Sequence, residues 1–105
     1  MTQRNLAFIT GHVRGSETLA GTVLDQVERF VELGRRNIVV MVDTFPDLED
    51  ATIDALHRLA HRAAELKANV KFAALNERTV TALRRRPTTA SLHIIERVDQ
   101  IPGAA

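Results

Sequence analysis

Residues 38–42 read Ile38-Val39-Val40-Met41-Val42, five apolar side chains in a row and most of them β-branched. A strand with one wet face alternates apolar and polar residues. An unbroken apolar run of this length therefore predicts a central strand covered on both faces. The segments around it carry the covers. From 16 to 33 the apolar residues fall at Leu19, Val23, Leu24, Val27, Phe30 and Val31, which is helical spacing. Asp25, Glu28, Arg29 and Glu32 lie mainly on the opposite side, so this helix has one buried and one wet face. Ser16 is the expected N-cap and Gly34 the expected stop.

The rest of the chain repeats the alternation. Leu6-Ala7-Phe8-Ile9 is a short strand candidate, ended by Thr10-Gly11. After the central strand, 43–47 reads as a loop, and Pro46 disfavours helix at Phe45. A second helix is predicted from Leu48 or Asp50 to Lys67, with Ile53, Leu56, Leu59, Ala60, Ala63, Ala64 and Leu66 on its apolar side. Residues 70–75 form a third strand candidate. Asn76 should cap a short helix through Thr79, Val80, Leu83 and Arg85, halted near Pro87. Leu92-His93-Ile94-Ile95 is a last, edge strand. Strand and helix in turn imply an α/β domain with a mostly parallel sheet of four to five strands and three or four helices. At 105 residues the chain fits one domain, with a core over 6–98 and a tail over 99–105 whose last residues, 102–105, are expected to fray. In such a sheet the working surface forms at the loops leaving the strand C-termini, here 11–16, 43–50 and Asn76.

Composition narrows the function classes. The formal net charge is +1, which gives no general attraction to nucleic acid or an acidic membrane. The chain has no Cys, so disulfides and thiolate metal sites are excluded and a reducing cytoplasm is the expected compartment. The apolar run at 6–9 is too short for a secretory signal core or a membrane span. The charges are nevertheless uneven: residues 1–56 hold five basic and nine acidic side chains, and residues 57–105 hold nine basic and four acidic. The extreme is 43–54, with Asp43, Asp47, Glu49, Asp50 and Asp54 and no cation. Such a window suits a cation or a basic partner surface, or else a solvated helix start favoured by the backbone dipole.

No catalytic motif stands out. Gly11-His12-Val13-Arg14-Gly15 lacks both the Gly-Lys-Ser/Thr ending of a P-loop and the three-glycine dinucleotide fingerprint. His57 and His61 share a helix face, but Arg58-Leu59-Ala60 between them omits the Glu of a His-Glu-x-x-His metalloprotease. Ser16 and Ser91 are the only serines and neither lies in a nucleophile elbow. Arg84-Arg85-Arg86 is the densest basic cluster, but single-strand binders want aromatic platforms, and the chain has four Phe and no other aromatic. The expectation is a protein without enzymatic activity, metal or cofactor.

From Leu6 to about Val98 the chain resembles a STAS domain of the anti-sigma-factor-antagonist family. The matching features are Leu6-Ala7-Phe8-Ile9-Thr10-Gly11, the amphipathic helix ending at Gly34, Ile38-Val39-Val40-Met41-Val42 and Leu48-Glu49-Asp50-Ala51-Thr52-Ile53-Asp54-Ala55-Leu56. Val70-Lys71-Phe72-Ala73-Ala74-Leu75-Asn76, Val80, Leu83 and Ile94-Ile95 continue the pattern. The resemblance implies a bacterial regulatory module, a monomer or weak homodimer. It would capture an anti-sigma factor and so free a sigma factor for transcription, with no nucleic acid or membrane partner. In antagonists an Asp-Ser-Ser-Gly-Leu run opens the second helix, and its second serine is phosphorylated by the anti-sigma kinase. Without gaps, Glu49, Asp50, Ala51 and Thr52 stand on Asp-Ser-Ser-Gly, so the phosphoacceptor position carries Ala51 and has no hydroxyl. A one-residue gap would instead make Thr52 the acceptor and lose the glycine. The ungapped register keeps the strand and the apolar positions of the helix aligned, and it implies a module without the usual serine switch. Partner binding is then expected on Phe45, Asp47, Glu49, Asp50 and Asp54, as an exposed acidic edge. The alternative on the same scaffold is a small-molecule or nucleotide-sensing module, or a scaffold subunit of a signalling assembly.

Overall fold

A computed structural model of the chain describes residues 6–11 and 19–100, apart from the side chains of residues 19, 20 and 98. Four strands and three α-helices alternate along it: β1 Leu6–Ile9, α1 Leu19–Glu32, β2 Asn37–Met41, α2 Asp50–Glu65, β3 Asn69–Ala73, α3 Glu77–Arg84 and β4 Ile94–Ile95. Short 3₁₀ turns lie at Val42–Thr44, Pro87–Ser91 and Val98–Gln100. The sheet runs in the order β1-β2-β3-β4 and every pairing is parallel, for example Ile9 beside Val40 and Val40 beside Phe72. Four strands, all parallel, is the simplest form of the architecture the alternation implied, and no fifth strand occurs among the described residues.

Neighbouring strands are consecutive in the chain, so each crossover steps one place in the same direction. With a common hand, such crossovers stack their helices on one side. The core shows this. Val23 and Val27 of α1, Ile53, Leu56, Leu59 and Ala63 of α2 and Leu83 of α3 pack with Ala7, Ile9, Ile38, Val40 and Phe72. The alternate strand residues Leu6, Val39, Ala73 and Ile95 form a second, smaller cluster on the other face. Val39 is 0% exposed, so β2 is enclosed on both faces, as its unbroken apolar run requires.

The two long helices end in the same way by different chemistry. At the end of α1 the amide of Gly34 donates to the Val31 carbonyl and that of Arg35 to the Phe30 carbonyl, closing a left-handed cap in which Gly34 has φ +81°. At the end of α2, Lys67 donates to the Ala64 carbonyl and Ala68 to that of Ala63, but here the left-handed residue is Lys67, φ 59°. Asn76 caps α3 as expected, its side-chain oxygen accepting the Arg78 amide at 2.8 Å.

Several boundaries differ from the sequence reading: β3 runs Asn69–Ala73 rather than 70–75, and α2 ends at Glu65 rather than Lys67. Val42 leaves the strand and opens a 3₁₀ turn. The last strand keeps only Ile94–Ile95, because the Leu92 amide donates to the Thr89 carbonyl and closes the preceding turn instead. Val98–Gln100 form a 3₁₀ turn. The expected N-cap Ser16, the glycine-flanked stretch 12–15 and residues 101–105 lie outside the described residues.

Candidate functional site

Because all four strands point the same way, the segments after β1, β2 and β3 gather at one edge of the sheet. The central segment, 42–49, is tied to both neighbours. The Thr44 hydroxyl donates to the Met41 carbonyl at 2.6 Å and accepts the Gly11 amide at 2.9 Å. Phe45 lies directly on Gly11: a Cβ there would stand 2.5 Å from the Phe45 ring and 2.8 Å from its Cα. Only a glycine lets the two backbones approach this closely. Phe45 is 8% exposed and belongs to the main core. The expectation that it forms part of an exposed binding edge is therefore corrected. The apolar ring gains more from burial over α2 and β1 than from the surface position suggested by its acidic neighbours.

The five carboxylates of the window separate into two kinds. Asp43 accepts the Leu75 amide at 2.8 Å with one oxygen and the Asn76 amide at 3.1 Å with the other. It braces the segment after β2 to the segment after β3, immediately before α3. Asp47 Oδ1 accepts the Glu49 amide at 3.0 Å and the Thr52 hydroxyl at 2.8 Å. Those two bonds favour the charged form, the backbone amide first, and hold its carboxyl below the ordinary value of 3.8. Asp47 is thus the side chain that sets the start of α2. All five carboxylates are exposed, but the side chains of Glu49, Asp50 and Asp54 accept no backbone amide among the described residues. Asp54 pairs with Arg58 at 3.0 Å along the helix surface. Asp50 pairs across space with Arg86, and Glu49 has no ion pair among the described residues.

The two candidate phosphoacceptor positions also separate. Ala51 is exposed and carries only a methyl group, whereas Thr52 is 4% exposed and its hydroxyl is committed to Asp47. A helix turns about 100° per residue, and that step carries Thr52 from the exposed side of Ala51 to the buried side of α2.

Sequence reasoning missed the far side of this corner. The 3₁₀ turn at Pro87–Ser91 lies alongside α2 and leaves an open groove of about 670 Å³, walled by Asp50, Asp54, His57 and Arg86 among others. Buried Thr89 anchors that turn, its single hydroxyl proton shared between the carbonyls of Leu83 and Arg86, each 2.7 Å away. His57 lines the groove, and its Nε2 is enclosed with no hydrogen-bond partner among the described residues. His61, its i+4 neighbour, faces solvent near Glu65 at 4.0 Å. No group of three or more His, Cys, Asp or Glu side chains comes together for a metal among the described residues. Within the arginine triplet, Arg84 pairs with Glu96 at 2.6 Å and Arg86 with Asp50, while Arg85 is exposed. No described helix is long and apolar enough to cross a membrane.

Comparison with protein-family models, with curated proteins and with solved structures returned no match.

Proposed function

We propose that the chain is a non-enzymatic protein-binding module similar to an anti-sigma factor antagonist, working in the bacterial cytoplasm. It captures an anti-sigma factor at the start of α2, and the capture releases a sigma factor. The observation that carries this reading is the make-up of that helix start. Glu49 and Asp50 present fixed negative charge, Ala51 presents a methyl group, and the hydroxyl of Thr52 in the same turn is buried and bonded to Asp47. Phosphorylation of an ordinary antagonist adds about two negative charges at such a position. Here the first turn of α2 offers no exposed hydroxyl and carries acidic side chains from the outset, so the module acts without a serine switch. The fold supports the reading to the extent that the segment after the central strand, held by Asp43 and Asp47, presents this helix start rigidly.

The test is incubation of the purified chain with a histidine-kinase-like anti-sigma factor from the same genome and ATP, followed by intact mass and a binding titration. A stable complex with no added phosphate is expected. A stoichiometric phosphate that disappears in Thr52→Ala would show the gapped register to be right and the module to be switchable. Absence of any complex would remove the antagonist reading. The second reading, a small-molecule or nucleotide sensor, draws on the groove beside α2, whose volume lies within the range of ligand pockets. A ligand retained through purification would favour it.

A further inference from the structure

The groove between α2 and the turn at Pro87–Ser91 holds two features that folding alone does not explain. The first is the pair made by Asp50. Its side chain is 95% exposed, yet the guanidinium of Arg86 reaches it across the groove from 36 residues away. An ion pair so open to water adds little stability. It does show that a guanidinium can reach the Asp50 carboxylate at the rim of this groove. The second is His57. Its ring lines the same groove, and its Nε2 is enclosed without a partner among the described residues. A buried polar atom left unpaired costs free energy, and an apolar ring of similar shape would avoid the cost. Between the two lie Ile53, buried, and Ala90 on the facing turn, an apolar lining against which methylenes can rest.

We propose that this groove takes an arginine side chain from the protein partner, with Asp50 as its ion-pairing carboxylate and Arg86 as the internal occupant it displaces. A guanidinium carries five N–H donors in a flat fork. That is enough to engage the Asp50 carboxylate and, once the imidazole rotates, to satisfy His57 Nε2. The methylene stem covers Ile53 and Ala90, as long cationic side chains do on apolar surface. A lysine places one compact charge and cannot bridge both groups with planar geometry. The proposal rests on the protein-binding reading above and specifies what that partner must present. It also gives Arg86 a role: it engages the Asp50 carboxylate until a better-placed arginine arrives.

The experiment titrates the ¹⁵N-labelled chain with N-acetyl-arginine amide and, in parallel, with its citrulline counterpart, which has the same shape without the charge. Saturable shifts are expected at the amides of Asp50, His57 and Ala90 with the arginine compound alone. Arg86→Gln should bind it about threefold more tightly, since a competing surface pair is removed. Asp50→Asn should abolish saturation while its spectrum stays that of the folded chain. His57→Phe should weaken binding while raising the melting temperature, a combination that a purely structural histidine would not show. Equal response to citrulline, shifts that never saturate, or an unchanged affinity in Arg86→Gln would overturn the proposal. The antagonist reading is judged separately, by capture of the anti-sigma kinase. Capture without an arginine response sinks the groove alone, and an arginine response without capture sinks the antagonist reading alone.

Discussion

Asp43 and Asp47 stand within a few residues of Glu49 and Asp50 in one acidic stretch, yet the two pairs have different tasks. The inner pair is consumed by the fold. Asp43 spends both oxygens on the amides of Leu75 and Asn76, and Asp47 spends one on Glu49 and Thr52. The outer pair spends nothing on backbone groups, with Asp50 reaching only Arg86. Phe45, in the same stretch, goes further inward still and packs on Gly11. A run of like charge is therefore not a site in itself. Part of it builds the corner, and the remainder is what a partner can meet.

That division predicts a graded series of mutational effects, with stability falling for inner positions and binding for outer ones. Phe45→Ala should be the most damaging, at about 3 kcal/mol, because it removes a buried ring from the main core. Urea denaturation followed by circular dichroism measures this, and a loss under 1 kcal/mol would break the assignment of Phe45 to the interior. Asp43→Ala should cost about 2 kcal/mol by leaving two amides without their charged acceptor. Asp43→Asn should recover about half of that, since an amide side chain keeps one acceptor oxygen.

Asp47→Ala should cost about 1 kcal/mol through the start of α2, with the Thr52 hydroxyl released at the same time. The wild type should carry a matching acid dependence. The folded carboxyl lies below its unfolded value, so between the two the unfolded chain binds more protons and stability rises with pH. The contribution of Asp47 is complete above the unfolded value of 3.8 and is lost as pH falls through the lower folded one. Melting curves between pH 5 and pH 2 should show this component in the wild type and not in Asp47→Ala, roughly the range in which an unpaired carboxylate titrates. The outer positions give the smallest effect on folding. Glu49→Lys with Asp50→Lys should change stability by about 0.5 kcal/mol or less. The same double change should weaken capture of the anti-sigma factor and flatten its salt dependence, measured by titration at two ionic strengths.

Much of the architecture was legible in the sequence, because the relevant physics is local or periodic. Ile38, Val39 and Val40 announce a strand enclosed on both faces, and Val23, Val27, Ile53, Leu56 and Leu59 announce helices with one buried side. Gly34 and Asn76 are caps whose chemistry is carried by a single residue type. Lys67 takes the same left-handed role as Gly34 but is invisible in sequence, since lysine has no preference for that backbone. The stop of α2 is set by the need to turn back into β3.

Which carboxylates face the fold and which face a partner was decided only in three dimensions. Asp43 meets amides 32 and 33 residues away, and Asp50 meets a guanidinium 36 residues away. No periodicity or spacing in 43–54 encodes those distances. The placing of Phe45 follows the same logic, because the cavity it fills opens only where Gly11, from another strand end, lacks a side chain. Sequence determines the elements through the hydrogen-bonding and burial needs of neighbouring residues. The site depends on the parallel order of the strands, which brings their C-terminal ends to one edge and lets residues far apart in the chain satisfy one another.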